Sequence, residues 1–288
     1  MNAEFSEKAR AKLNLTLDVR EKTDDGYHRI VTVFQTVDFG DEITFRPADG
    51  PLTAKTDLPF LPTGEKNLAV RAAQLFFRET GVAPMGGVIG IKKNIPVCGG
   101  LAGGSSDAAA VLRLLNRACG TGLSVSELEK LSEQLGSDVP FCVAGGTVLG
   151  EGRGEKMTRL RAMPECGVVI LRPDFASSTP ELFKAIDSLR VVSRPDTAGM
   201  LRAIEEGSLT AVSRRVFNIF EAALPRRWSE KVNEAKDALL ENGALGACMS
   251  GTGSAVYGLF ADEKAANAAA SRIKGFACSA TKTSPSLD

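Results

Sequence analysis

Four glycines fall in the six positions from Gly99 to Gly104, with Leu101 and Ala102 between them. Pro96, Val97 and Cys98 precede the cluster, and Ser105, Ser106 and Asp107 follow it. A backbone so bare of side chains can approach a ligand closely. Behind it, Ala108-Ala109-Ala110-Val111-Leu112-Arg113-Leu114-Leu115 is a strong helix former. A flexible loop opening directly into a helix leaves N–H groups unpaired at the positive end of a dipole, a site suited to phosphate. Three familiar loops do not account for it. A Walker loop needs lysine where Ser105 stands, and both the dinucleotide and the kinase glycine loops need glycine where Cys98 stands. A plain turn ahead of a serine-capped helix would need fewer glycines, so the stretch is read as an anion loop of another scheme.

Other chemistry is limited by what is absent. The chain has one histidine, His28, and no Gly-x-Ser-x-Gly elbow, which argues against a serine hydrolase. Six cysteines (Cys98, Cys119, Cys142, Cys166, Cys248, Cys278) are scattered without a Cys-x-x-Cys pair, so neither a zinc site nor a disulfide framework is expected. Asp38-Phe39-Gly40 lacks the upstream partners of a kinase magnesium motif and reads as a turn. Tyr27 and His28 follow a turn, where a planar ring could be stacked and hydrogen-bonded or the pair could simply lie on the surface. Lys12 falls on the polar side of an alternating strand, and Asp138 stands at the start of a short helix; each has an ordinary structural reading by itself.

The elements that must position these groups follow from periodicity. Residues 11–19 alternate apolar and polar, predicting a half-buried strand with Leu13, Leu15, Leu17 and Val19 on one face and Lys12, Asn14, Thr16 and Asp18 on the other. After a turn at Asp24-Asp25-Gly26, extended runs at 30–37 and 41–45 continue an antiparallel opening, and residues 47–64 read as loop. Helices are predicted at 67–79, 107–118 and from the capping box Ser124–Glu127 to Gly136, with a helical turn at 137–140. The second half alternates strands (168–171, 255–260 and a final short one) with helices at 179–189, 196–206, 208–223, 228–242 and 263–273. A boundary falls near 160, dividing 1–160 from 161–288, and the early antiparallel strands favour an α+β architecture over a doubly wound sheet.

Thirty-five basic and thirty-five acidic residues cancel. The chain offers no net field for nucleic acid or an anionic membrane, so an anionic ligand must be held locally. With no apolar run near membrane length and single, unpaired cysteines, a soluble cytoplasmic protein is expected.

Taken together, the motifs carry more than each alone. The stretch Pro96–Ala109 resembles the Pro-x-x-x-Gly-Leu-x-x-x-Ser-Ser phosphate loop of the GHMP kinases. Ala11-Lys12-Leu13-Asn14-Leu15 and Met249-Ser250-Gly251-Thr252-Gly253-Ser254 are similar to that family's other two motifs. Gly26-Tyr27-His28, Glu65-Lys66-Asn67-Leu68, Gly136–Phe141 and Glu151–Glu155 resemble the branch acting on a cytidine-diphosphate-linked methylerythritol. The resemblance implies a two-domain α+β fold, with a left-handed β-α-β unit in an N-terminal ATP-binding domain and an α/β sandwich in the C-terminal domain. It implies ATP as phosphoryl donor, Mg2+ as cofactor with no ligand residue assigned, and that small molecule as partner rather than nucleic acid or membrane. By the same resemblance, Asp138 is the base and Lys12 lies beside it, keeping the carboxylate ionised. The loop Pro96–Ser106, with Asn67 and Lys93, holds the nucleotide. Tyr27 and Phe183 sandwich cytosine, His28 bonds its edge, and Asn14 lies near the reacting hydroxyl. Ala102 departs from the family's glycine, which puts the local backbone in question. The alternatives are a mevalonate- or homoserine-type kinase of the same family, or a sensor that binds without transfer; the latter would be expected to lose Lys12 or Asp138.

Overall fold

The computed structural model describes residues 4–189 and 193–285. Two long strands open the chain, β1 (Phe5–Lys22) and β2 (His28–Pro47), antiparallel along most of their length. The runs predicted separately at 30–37 and 41–45 are one strand, because β1 pairs with it on both sides of a bulge at residues 37–39. The expected half-buried strand is buried on both faces. Lys12, Asn14, Thr16 and Asp18 are each 5% exposed or less. Bulges between Arg10 and Lys12 and between Asn14 and Thr16 break the alternation, and groups from the second half of the chain cover Asn14 and Asp18.

The stretch 47–64, predicted as loop, contains β3 (Leu52–Thr56). It is followed by α1 (Leu68–Thr80) and by β4 (Gly87–Lys92), which pairs with β3 in parallel, making a β-α-β unit. Asn67 caps α1 by accepting from the Ala69 N–H at 2.9 Å, and Gly81 ends it at φ 69°. Next come α2 (Gly103–Ala118), α3 (Val125–Ser132), α4 (Val139–Ala144), β5 (Thr147–Gly152) and β6 (Lys156–Arg159). The predicted capping box starts α3: Ser124 and Glu127 bond each other's backbone N–H.

The second half holds β7 (Gly167–Arg172), α5 (Thr179–Ser188), α6 (Thr197–Glu205), α7 (Leu209–Ser213), β8 (Phe217–Asn218), α8 (Arg226–Glu241), β9 (Gly246–Met249), β10 (Val256–Phe260), α9 (Glu263–Arg272) and β11 (Ala277–Lys282). The helix predicted at 208–223 is instead α7, β8 and a 3-10 turn at Ile219–Ala223. Tertiary pairing overrides its helical pattern: β8 adds in parallel to β1, and Asn218 donates to the carbonyls of Met249 and Gly251.

One sheet runs β3-β4-β2-β1-β8, with β5 on the early part of β2 and β6 beside β5; the other runs β11-β7-β10-β9. The molecule is thus an α+β fold of two sheets with helices packed on each. Helices α1 and α2 bury Ala72, Phe76, Ala109 and Leu112 with Ile43 and Ile89 of the first sheet. Leu13 and Leu15 meet Val168, Ile170 and Tyr257 between the sheets, and Val169, Val232 and Ala266 pack under the outer helices. Each large side chain so buried contributes about 1.5–3 kcal/mol. The buried Tyr257 hydroxyl donates to the Asn14 carbonyl at 2.8 Å, tying β10 to the strand that carries Lys12.

Candidate active site

The glycine stretch leads from β4 into α2, and its backbone is fixed by contacts distant in sequence. The Gly99 carbonyl accepts from the Ala255 N–H (3.1 Å), the Gly100 carbonyl from the Ser250 hydroxyl (3.0 Å) and the Leu101 carbonyl from the Lys12 N–H (3.2 Å). Gly100 has φ 75°, and a Cβ there would lie 2.1 Å from the Ser250 carbonyl oxygen. Only glycine fits where the loop meets the second glycine-rich turn, 249–254. Cys98 and Ala102 also take left-handed φ values, 56° and 58°. Ala102 caps α2 without a side-chain bond, so the helix begins at Gly103 rather than at the predicted 107 and its first N–H groups lie in the loop.

This loop borders a cavity of about 670 Å3. Pro96 to Gly100, Ala102 to Ser105, Asn67, Lys93, Lys12, Asn14, Asp138 and Phe183 all line it. Leu101 and Ser106 do not: both are buried, and the Ser106 hydroxyl donates to the Arg10 carbonyl at 2.7 Å, anchoring α2 to β1.

Lys12 and Asp138 meet as expected. The ammonium lies 3.7 Å from Asp138 Oδ2 and donates to Asn14 Oδ1 at 2.7 Å, with the Phe34 ring centroid 5.0 Å away. Asp138 precedes α4 without capping it, which leaves its carboxylate, 36% exposed, available to a ligand. Asn14 is held from three sides. Its amide donates to the Thr32 hydroxyl (2.8 Å), its carbonyl oxygen accepts from the Gly251 N–H (2.9 Å), and its own N–H faces Ser250 Oγ (3.4 Å).

Lys93 is committed elsewhere. Its ammonium bonds Asp41 Oδ2 at 2.5 Å and Asp107 Oδ2 at 2.9 Å, and all three side chains are buried. Asp41 Oδ1 also accepts the Asn94 and Ile95 N–H groups, 2.5 and 2.7 Å away, pinning the entry to the glycine loop. Burial pulls the Lys93 ammonium down, but the two carboxylates outweigh it and raise it. Burial pushes the Asp107 carboxyl up to about 8, with Lys93 opposing and Asp41 adding. Asp107 Oδ1 is buried without a hydrogen-bond partner.

The opposite end of the cavity is built from side chains. The His28 ring stacks on Phe183 (centroids 5.1 Å apart, 22° between planes), and Phe183 meets Phe220 edge-on at 5.0 Å. Tyr27 is 56% exposed, with the Arg153 guanidinium 3.8 Å above its ring and paired to Asp25. Neither Tyr27 nor His28 lines the cavity itself; Arg153 and Phe183 do. The Asp25 carboxyl falls to about 2, chiefly through the Thr23 hydroxyl, then the Tyr27 N–H and Arg153. The loop and helix ends are joined by Thr252, whose carbonyl accepts from Ser177 Oγ (2.5 Å) and whose hydroxyl meets that of Thr179 (3.0 Å).

The sequence does not single out Arg153, Thr252, Asp41, Asp107 or Asp187 as site residues. The first two lie in segments already notable as motifs, a signal that could have been followed. Asp107 also lies in such a segment, directly after the glycine loop, whereas Asp41 and Asp187, which bonds His28 across 159 positions, carry no local signal.

The chain matches the family models described as the GHMP kinases N terminal domain, over residues 67–146, and the GHMP kinases C terminal, over residues 200–278. It is 44% identical to a 4-diphosphocytidyl-2-C-methyl-D-erythritol kinase of Caldicellulosiruptor saccharolyticus, covering 93% of this chain and 92% of the relative. A protein of the same name from Pelotomaculum thermopropionicum is 43% identical, with 92% of each chain covered. A crystal structure of 4-(cytidine 5'-diphospho)-2C-methyl-D-erythritol kinase superposes with TM-score 0.81 at 31% identity, covering 96% of this chain and 98% of that one. A homoserine kinase from Cytophaga hutchinsonii (TM-score 0.76, 20% identity; 100% and 96% covered) shares the fold. Similarity of this extent along nearly the whole length places the chain in the 4-diphosphocytidyl-2-C-methyl-D-erythritol kinase family of the GHMP kinases.

Proposed function

We propose that this kinase transfers the terminal phosphoryl group of ATP to the 2-hydroxyl of 4-diphosphocytidyl-2-C-methyl-D-erythritol, releasing ADP, in the non-mevalonate route to isopentenyl diphosphate. The observation that carries the reading is the meeting of Lys12 and Asp138 in one cavity with the glycine loop at one end and Phe183 at the other. Asp138 takes the hydroxyl proton as the substrate oxygen forms its bond to the γ-phosphorus and the β–γ bridging bond breaks towards ADP. Lys12 orients that carboxylate and offsets charge in the transfer, while Asn14, clamped by Thr32 and Gly251, positions the hydroxyl. Backbone N–H groups from Gly103 onward, at the start of α2, face the triphosphate in place of a Walker lysine. Asn67 borders the nucleotide, and Lys93 acts on it through the two carboxylates that hold it.

Magnesium suits the residues present. Among the described residues no three His, Cys, Asp or Glu side chains cluster as a metal site, but this ion is held by one or two protein oxygens together with substrate phosphates. The unpartnered Asp107 Oδ1 and the Ser105 hydroxyl would supply those oxygens. When bound, the ion would offset negative charge on the phosphates.

The same proposal divides the chain near residue 160, into an ATP-binding part and a C-terminal part that supplies Phe183. It places the enzyme in the cytoplasm without nucleic-acid or membrane partners. That placement is supported by six free cysteines, a net charge of zero, and no helix among the described residues long and apolar enough to cross a membrane. ADP release with the cytidyl diphosphate substrate, mevalonate, homoserine and galactose tests the substrate. Turnover of the first alone is expected, and preference for any other overturns the reading.

A further inference from the structure

The ladder between β2 and β4 ends at Glu42 and Lys92, and there the chain leaves the sheet to become the glycine loop. Its next N–H groups have no strand partner and are met by carboxyl oxygens instead. The Lys93 N–H donates to Asp57 Oδ1 at 3.0 Å, and the Asn94 and Ile95 N–H groups donate to Asp41 Oδ1 at 2.5 and 2.7 Å. Pro96 then has no N–H to place. Asp41 Oδ2 holds the Lys93 ammonium at 2.5 Å, and that ammonium reaches on to Asp107 Oδ2, 2.9 Å away near the start of α2. A Cβ on Gly103 would lie 3.3 Å from the Lys93 ammonium, which therefore sits directly under the first residue of that helix. Gly40 belongs to the same anchor: its carbonyl accepts from Asn94 Nδ2 at 2.9 Å.

One fully buried side chain thus holds both ends of the stretch Pro96–Ser106, the entry directly and the exit through Lys93. Asp41 itself does not line the cavity. The glycines between those ends have no side chains to fix them, so the place of their N–H groups depends on where the ends are tied. We propose that Asp41 is a positioning residue for the ATP phosphates, fixing the N–H groups at the start of α2 without touching the ligand. The proposal rests on the reading of the glycine loop as the phosphate site. It also gives Gly40, which reads from the sequence as part of a turn, a share in that site.

ATP and adenosine share base and ribose and differ only in the phosphates. The ratio of their affinities, measured by calorimetry on the intact enzyme, therefore reads the loop alone. Asp41→Asn turns an amide donor towards the Lys93 ammonium, and it is expected to lower that ratio about 10- to 100-fold, the cost of misplacing a positioned group by roughly 1 Å. Affinity for adenosine and KM for the cytidyl substrate should stay within about twofold. Asn94→Ala, at an exposed residue, removes only the bond to the Gly40 carbonyl and should lower the ratio about two- to tenfold. Glu42→Gln, the next residue of β2 but exposed and paired with Lys92, should leave it unchanged. If Asp41 merely stabilised the fold, Asp41→Asn would lower Tm and weaken ATP and adenosine alike. An unchanged ratio in folded Asp41→Asn overturns the proposal, and so does one in Asn94→Ala should the buried substitution prevent folding. A wild type that binds ATP no better than adenosine overturns the phosphate-loop reading instead, which keeps the two failures distinct.

Discussion

The two ends of the cavity are built on different principles. At the phosphate end the ligand meets main chain, itself locked from elsewhere in the chain: the carbonyls of Gly99, Gly100 and Leu101 are engaged by the Ala255 N–H, the Ser250 hydroxyl and the Lys12 N–H. Beneath it lies a buried cluster of ionisable groups, Lys93 with Asp41 and Asp107. At the base end the ligand meets side chains, Phe183, Arg153 and through them Tyr27 and His28, several of them exposed and drawn from separate elements. Phosphate is recognised by charge and N–H geometry that any backbone can supply, so its site can be rigid and nearly free of side chains. A base is recognised by a flat face and a patterned edge, which only side chains provide.

The largest effect is expected where the ends meet. Asp138→Asn should lower kcat by about 100- to 10,000-fold, the usual contribution of a general base, while both ligands still bind. Calorimetric titration with ATP beside a turnover assay checks it; retained turnover removes Asp138 from the mechanism. A matched pair then separates the ends. Gly100→Ala puts a methyl group against the Ser250 carbonyl at a left-handed φ, and strain above about 1.4 kcal/mol should raise KM for ATP at least about tenfold. Phe183→Ala should raise KM for the cytidyl substrate by about 5- to 150-fold, a stack being worth about 1–3 kcal/mol. Each should leave the other ligand's KM within about twofold. Crossed effects would mean that Thr252, bonded to Ser177 and Thr179, couples the ends.

The buried charges give a smaller, pH-dependent signal. Burial pushes native Asp107 up, so it gives up its proton at higher pH than an unfolded carboxyl with the ordinary value of 3.8. Its contribution to stability is complete below the ordinary value and is lost as pH rises towards about 8. Asp107→Asn, neutral throughout, should flatten that slope, as read from denaturant midpoints at about pH 5 and about pH 8.5. The smallest effect is expected at Ala102, whose φ of 58° suits glycine. Ala102→Gly should raise stability by up to about 1 kcal/mol, seen as a higher Tm, with KM for ATP unchanged.

The phosphate end was far more legible in the sequence than the base end, for the same physical reason. Glycine density and a helix-forming run are local properties, so the loop and its helix are visible without any partner. One cap was legible too, since the Ser124–Glu127 box spans four consecutive residues. The helix expected at 208–223 was lost because pairing with β1, 201 positions away, outweighed its pattern.

By themselves, residue order and type determined where a phosphate could be cradled and the α+β class, whereas Lys12 and Asp138 stood out only through resemblance to a kinase family. Tertiary structure decided what those residues face. It buried the polar side of β1, so that Lys12 points into a cavity rather than into water, and brought Asp138 within 3.7 Å of it. It turned Lys93 away from a free phosphate-binding role into a strut between two carboxylates, and gave His28 a partner on α5. Such contacts join groups tens to hundreds of positions apart, and their strength depends on burial and distance, which no local window of sequence contains.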